Sequence, residues 1–177
     1  MWEAVERSEE TYNDTYLDEV DQLINRLGQR GIYTLVDAHQ DVAARKICGE
    51  GIPNFYAQNL SSDCGNETIP VLAKTLGICK SITEYNFTLD ADGNPLIEEC
   101  QKHNFAGYYP SPEAADIFGR LYNNTYGLQD RFINYWKKVA QRFASNPYVI
   151  GYDPLNEPYP SNVYEDPSLI YVPGKFD

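Results

Sequence analysis

Two short apolar runs constrain the fold of this chain more than any other feature. The first is IYTLV at residues 32–36 and the second is YVIGY at residues 148–152. Each follows a segment whose apolar residues recur at helical spacing. Strands that alternate with helices pair in parallel, and continuous apolar runs are typical of strands that are covered on both faces. The sequence therefore predicts an α/β fold with a parallel sheet.

Two long helices are predicted in front of these runs. The first covers residues 16–27, with a capping box formed by Thr15 and Asp18 and a stop signal at Gly28. The second covers residues 128–144 and carries one aromatic and aliphatic stripe. The order is therefore helix, strand, long segment, helix, strand.

The long segment, residues 42–127, is predicted to be a loop insertion with one short helix near residues 114–122. It contains all four cysteines, whose spacings match no zinc pattern and predict two disulfides with three possible connectivities. It also contains four of the five Asn-x-Ser/Thr sequons, which predict a glycosylated protein that is secreted or resides in a lysosomal or digestive lumen. The alternative is a cytosolic chain with free thiols and unused sequons. The cysteines are Cys48, Cys64, Cys79 and Cys100, and the sequons begin at Asn13, Asn59, Asn66, Asn86 and Asn123.

Charge and motif content narrow the function. The net charge of −12 argues against a nucleic-acid partner, because phosphates require a basic surface. No apolar run approaches the roughly 18 residues of a membrane span. There is no glycine-rich phosphate loop, no H-E-x-x-H and no G-x-S-x-G, so we expect no cofactor and no serine nucleophile.

Polar clusters follow both apolar runs. His39 and Asp41 come after the first, and Asn156 and Glu157 come after the second. Sites in parallel α/β folds form beyond the carboxyl ends of the strands, so we expect the two clusters to share one cleft. A glutamic acid beside an amide suits glycoside hydrolysis, in which the acid protonates the leaving oxygen and the amide binds the sugar 2-hydroxyl. A metal site formed by His39, Asp41 and Glu157 is the alternative chemistry.

Longer stretches resemble one enzyme family. WEAVE, YLDEVDQLINRLGQRGIYTLVDAHQD, RKICGEGIPNFYA and FGRLYNNTYGLQDRFINYWKKVAQRFASNPYVIGYDPLNEPYP look like the endoglycoceramidases, which are retaining (β/α)8 glycosidases of glycoside hydrolase family five. The resemblance implies a partial TIM barrel with a long disulfide-bearing βα-loop at residues 42–127. It further implies that residues 1–177 are an N-terminal-side fragment of a single catalytic barrel.

The resemblance also implies the substrate and the roles of the site residues. The substrate would be a glycosphingolipid at a membrane or micelle surface, cleaved between oligosaccharide and ceramide without a cofactor. Glu157 would be the general acid/base, while His39, Asp41 and Asn156 would contact the first sugar. The nucleophile would lie outside these 177 residues, so we expect the fragment alone to be inactive. Alternatives are a related β-glucosidase acting on a steryl glucoside or an oligosaccharide, and a non-catalytic glycan-binding descendant.

Overall fold

The computed structural model describes residues 1–172. Its order is helix, hairpin, helix, strand, a long segment with several short helices, helix, strand and a last short helix. The helices are α1 (Trp2–Val5), α2 (Asp14–Gly28), α3 (Thr68–Thr75), α4 (Ile97–Cys100), α5 (Pro112–Tyr122), α6 (Leu128–Phe143) and α7 (Ser168–Tyr171). The strands are β1 (Glu6–Ser8), β2 (Thr11–Tyr12), β3 (Thr34–Asp37) and β4 (Val149–Asp153).

Helix α2 is capped by Asn13, whose side-chain oxygen accepts a hydrogen bond from the amide of Tyr16 at 3.1 Å. The predicted capping box of Thr15 and Asp18 is therefore wrong, because Thr15 already lies inside the first turn. The predicted end at Gly28 is confirmed. A Cβ at this glycine would lie 2.0 Å from the ring of Tyr148, so the close approach of this ring requires glycine there.

Helix α6 confirms the second predicted helix and its stripe. Tyr135, Val139 and Phe143 are buried against the core, and α6 packs against α2. Arg142 of α6 forms an ion pair with Asp18 of α2 at 2.7 Å. The two long helices therefore form one layer that supports the strands.

Strands β3 and β4 pair in parallel, as predicted, with Asp37 opposite Asp153 in the last register position. The first strand begins at Thr34, two residues later than predicted. Leu35 is 55% exposed and Ile150 is 69% exposed. The prediction of a sheet covered on both faces is therefore wrong within residues 1–172, because neither a third strand beside this pair nor a layer over this face lies there.

The first residues close the core. The ring of Trp2 packs against three other aromatic rings. Its centroid lies 5.3 Å from that of Tyr56, 5.2 Å from that of Phe132 and 5.8 Å from that of Tyr135. Its indole nitrogen donates a hydrogen bond to the buried carboxylate of Glu6, which also accepts one from the Tyr56 hydroxyl at 2.7 Å. The core therefore joins the N-terminus, helix α6 and the start of the long segment.

The long segment contains more regular structure than predicted. Helix α5 confirms the expected one, although it begins two residues earlier, at Pro112 behind the Ser111 cap. Helices α3 and α4 were not predicted. The disulfides are Cys48–Cys100 and Cys64–Cys79, which selects one of the three connectivities. None of the helices found in residues 1–172 has both the length and the apolarity that a membrane crossing demands.

Candidate active site

The two polar clusters lie side by side because their strands are neighbours. The amide of Ala38 donates to the carbonyl of Asp153 at 3.1 Å, and the amide of Asn156 donates back to the carbonyl of Ala38 at 3.3 Å. The pairing of β3 with β4 thus continues beyond both strand ends. It brings His39, Asp41, Asn156 and Glu157 to one edge of the sheet, as the sequence predicts.

Gln40 locks the two strand-end loops together. Its amide nitrogen donates to the carbonyl of Asn156 at 2.6 Å and to that of Glu157 at 3.0 Å. Its side-chain oxygen accepts from the backbone amide of Ala43 at 2.9 Å. In return, the side-chain amide of Asn156 donates to the backbone carbonyl of Gln40 at 3.0 Å. The residue is only 1% exposed. Gly51, with φ +124°, leaves room for it, because a Cβ there would lie 2.5 Å from the Gln40 Cβ.

Glu157 is exposed and has an unusual backbone. Its φ is +38°, toward the left-handed region, which is costly for residues with a side chain. The two carbonyls that accept from Gln40 belong to Glu157 and to the residue before it. These bonds therefore fix the backbone that carries the carboxyl group into solvent.

His39 lies between two carboxylates. Its Nδ1 is 2.9 Å from Asp37 and its Nε2 is 3.2 Å from Asp41. The imidazole is 45% exposed, so it is not a core histidine. The hydrogen bond with Asp37 raises the pKa of His39 most strongly, desolvation opposes that rise, and the hydrogen bond with Asp41 adds to it. This geometry favours a protonated imidazolium at the mouth of the cleft.

Asp41 has a second partner that the sequence did not indicate. The hydroxyl of Tyr109 donates to its other oxygen at 2.9 Å. Desolvation, followed by this hydrogen bond, raises the pKa of Tyr109 to about 12, and the charge of Glu157 contributes as well. Tyr109 therefore remains a neutral donor and lies within electrostatic reach of Glu157.

A cavity of about 480 Å³ opens beside Asp41. The Cys48–Cys100 disulfide forms one part of its wall. The rest is aromatic, apolar and charged, contributed by Arg45, Glu50, Ile97, His103, Phe105 and Tyr108. Flat rings next to charged groups suit a ligand that has both apolar faces and hydroxyls.

A different set of residues from the predicted one meets the spacing for a metal. Ligand atoms of His39, Asp41 and Glu50 lie within 4.8 Å of one another, whereas Glu157 is not part of this group. The histidine is engaged by Asp37 and the aspartate by Tyr109. We therefore describe His39 and Asp41 as members of the hydrogen-bonding network of the cleft.

Four sequon asparagines are exposed: Asn59, Asn66, Asn86 and Asn123. Asn13 is half-buried, and its oxygen caps α2. All four cysteines are paired.

Comparison with known proteins finds relatives of this chain. No protein-family model matches the chain. An endoglycoceramidase of Cyanea nozakii is 39% identical over 166 residues, and one of Hydra vulgaris is 37% identical over 170 residues. These matches cover 94% and 95% of this chain. The chain is related to the endoglycoceramidases.

The chain spans about 30% of the length of both endoglycoceramidase relatives. Solved structures agree on the fold. Endo-glycoceramidase II from Rhodococcus sp. matches 89% of this chain and 30% of its own, with a TM-score of 0.61 and 24% identity. Sterylglucosidase 1 of Cryptococcus neoformans matches 91% of this chain and 24% of its own, with a TM-score of 0.61 and 23% identity. Both an endoglycoceramidase and a sterylglucosidase therefore contain this arrangement of helices and strands.

Proposed function

We propose that the complete protein hydrolyses the β-glycosidic bond between an oligosaccharide and ceramide. The observation that carries the proposal is the placement of Glu157. It is exposed on the loop after β4, beside His39 and Asp41, in a chain that is 37–39% identical to endoglycoceramidases over nearly its whole length. Structures of the Rhodococcus enzyme include a ganglioside GM3 complex. The substrate is accordingly a glycosphingolipid, presented at a membrane or micelle surface.

Glu157 acts as the general acid that protonates the leaving oxygen and then as the base that activates water. Asn156 binds the hydroxyl on the second carbon of the first sugar. One hydrogen of its amide goes to the carbonyl of Gln40, which orients the group and leaves the other hydrogen for the substrate. His39 and Asp41 bind other hydroxyls of the same sugar, and the cavity beside Asp41 accepts the next part of the glycan.

The mechanism retains the anomeric configuration. Retention requires a nucleophilic carboxylate about 5–5.5 Å from the acid/base carboxyl. We assign the nucleophile to a part of the protein outside these 177 residues, which correspond to about 30% of the relatives' length. The 177-residue chain alone is then inactive, because water attacks an unactivated glycosidic carbon very slowly.

The same proposal extends to architecture. Strands β3 and β4 are two neighbouring strands of a (β/α)8 barrel, residues 42–127 are the long loop between β3 and α6, and residues 1–177 belong to one catalytic domain. The exposed faces of Leu35 and Ile150 support this arrangement, since a closed barrel would cover them.

We also place the protein in an oxidising compartment, secreted or in a lysosomal or digestive lumen. Two disulfides and four exposed sequon asparagines support that location.

The test is incubation of the complete protein with a ganglioside in detergent, followed by identification of both products. Intact oligosaccharide with retained configuration, together with free ceramide, is expected. Stepwise monosaccharide release would contradict the cleavage position, and glycan binding without turnover would indicate a non-catalytic relative.

Steryl glucoside is the second candidate substrate. The fold match to the Cryptococcus sterylglucosidase supports it. A competition assay that contains a ganglioside and a steryl glucoside at equal concentration separates the two, because the ratio of consumption rates equals the ratio of kcat/KM values. We expect the ganglioside to be consumed faster.

A further inference from the structure

One part of the long segment has its apolar residues turned outward. The Cys64–Cys79 lobe, residues 64–79, contains α3 and is closed by its own disulfide. Ala73 and both cysteines are its buried side, at 8% exposure or less. Its large aliphatic side chains are instead about half exposed or more: Ile69 at 51%, Val71 at 49%, Leu72 at 55%, Leu76 at 63% and Ile78 at 52%.

This pattern is the reverse of an ordinary surface helix, which hides its large apolar residues and exposes its polar ones. Several exposed aliphatic side chains on one small lobe mark a contact with another apolar body, which is a lipid surface, a second copy or a part of the protein outside these 177 residues. The Cys64–Cys79 disulfide links the first and the last residue of the lobe and so restrains the backbone that carries these side chains.

The lobe lies next to the proposed catalytic loop. Ala73 and the Cys64–Cys79 pair form one buried cluster with Val163 and Tyr164. Those two residues belong to the segment that follows Glu157 after β4, and the hydroxyl of Tyr164 donates to the carbonyl of Pro110. The base of the lobe and the loop that carries the acid/base residue are therefore packed as one unit.

Charge selects the kind of surface that the lobe can meet. The protein carries −12, yet the lobe contains only Glu67 and Lys74 and is neutral overall. Lys74 is paired with Asp63 at 2.7 Å. An acidic protein gains nothing from anionic headgroups, whereas a neutral lobe with exposed aliphatic side chains is matched to the apolar boundary of a lipid surface.

We propose that the half of the Cys64–Cys79 lobe away from the Asn66 sequon, which carries Leu72, Leu76 and Ile78, inserts its aliphatic side chains into the lipid surface that presents the substrate. The occupant is the boundary between headgroups and hydrocarbon of a bilayer or micelle, where an amphipathic helix lies with its apolar face buried. Docking there brings the loop of Glu157 to the glycosidic bond just above the ceramide. The inference rests on the proposed function for its substrate, and it adds the surface that binds the lipid in which the substrate is embedded.

The test uses the complete protein and vesicles of phosphatidylcholine without any glycolipid, so that active-site binding makes no contribution. The test variant combines Leu72→Ser and Leu76→Ser, two exposed positions in the half of the lobe farther from the Asn66 sequon. The matched control combines Leu72→Met and Leu76→Met, which keeps size and hydrophobicity at the same positions.

We expect the serine variant to lower the vesicle partition coefficient at least about tenfold, since two large apolar groups no longer leave water. The methionine variant should bind like the parent protein. Cleavage of a water-soluble glycolipid with a very short acyl chain should be unchanged in both. Cleavage of ganglioside in vesicles should fall only in the serine variant.

Equal partitioning of the serine variant and the parent protein would overturn the inference and would indicate that another part of the complete protein covers the lobe. So would a change from dimer to monomer with unchanged partitioning, because the lobe would then be an interface between two copies. Vesicle binding that depends on the lobe, without any release of ceramide, would instead sink the proposed function and leave the lipid contact intact.

Discussion

Replacement of Gln40 by leucine tests whether the strand-end loops position Glu157. The change keeps approximate volume but removes three hydrogen bonds, two donated to the carbonyls of residues 156 and 157 and one accepted from Ala43. At about 1 kcal/mol net for each bond, the loss is about 3 kcal/mol, and the partner groups are left without a protein partner. The φ of +38° at Glu157 costs strain energy on the order of 1 kcal/mol. The three hydrogen bonds that hold this backbone are worth more than that strain, so their loss removes the restraint. The loop should therefore relax.

The expected consequence is a fall of about 100-fold in kcat on natural glycolipid, the usual effect of displacing a catalytic group by about 1 Å. KM should change little if the sugar-binding side chains stay in place. Because Gln40 acts through Glu157, the loss should be much smaller on a substrate with a very acidic leaving group. In a Glu157→Gln background, Gln40→Leu should cost almost nothing more.

Gln58→Leu is the matched control. Gln58 is an exposed glutamine whose amide donates to the carbonyl of Asn54 at 2.5 Å, far from Glu157 in sequence. Its replacement should leave kcat unchanged and alter stability by no more than about 0.5 kcal/mol. The reasoning is refuted if Gln40→Leu lowers kcat equally on both substrates, or if its effect simply multiplies with that of Glu157→Gln.

Three further predictions follow from the site and its support. Glu157→Gln should suppress cleavage of natural glycolipid strongly. It should affect formation of the glycosyl-enzyme from a substrate with a very acidic leaving group far less, and pre-steady-state kinetics can measure that step. The pKa of His39, followed by NMR, should lie above the ordinary value of about 6.5 and should fall in Asp37→Asn. Loss of the Cys48–Cys100 disulfide by double serine replacement should lower the free energy of unfolding by about 4 kcal/mol, the chain-entropy value for its 52-residue separation.

Each of these has a contrary outcome. Equal loss on both substrates in the glycosylation step would remove the acid role from Glu157. For the histidine, the raised pKa means that its ion pairs contribute stability fully below about pH 6.5, and that this contribution disappears as pH rises through the folded pKa. A contribution that grows with pH would contradict the structure. A double serine variant with the same free energy of unfolding as the parent protein would contradict the role of the Cys48–Cys100 disulfide, and four alkylatable thiols would contradict both disulfides.

The main elements of the fold could be predicted because their signals are local. The periodicity of α6 and the apolar runs of β3 and β4 lie within each element, and alternation of helix with strand was enough to predict parallel pairing. The exact start of α2 was not predictable in this way. Both Asn13 and Thr15 are good caps, and only the backbone shows that Asn13 accepts the bond from Tyr16.

The supporting residues of the site were missed because their partners are distant in sequence. Gln40 stands inside a recognised cluster, but its bonds reach residues 116 and 117 positions away. Tyr109 lies 68 positions from Asp41, in a segment without periodicity. The outward apolar face of α3 was missed for the same reason, since a helix of eight residues between two cysteines gives little periodic signal.

The pairing of β3 with β4 has a kinetic consequence. Asp37 and Asp153 stand opposite each other although 116 positions separate them along the chain. The Cys48–Cys100 disulfide bypasses 52 of these positions, so the loop to be closed shrinks to 64. Closure entropy grows only with the logarithm of loop length, so the bypass lowers the barrier by about 0.5 kcal/mol, roughly a twofold gain in rate. Because the glutamate and the histidine become neighbours only through this long-range pairing, we expect assembly of the cleft to be slow relative to the formation of the local helices.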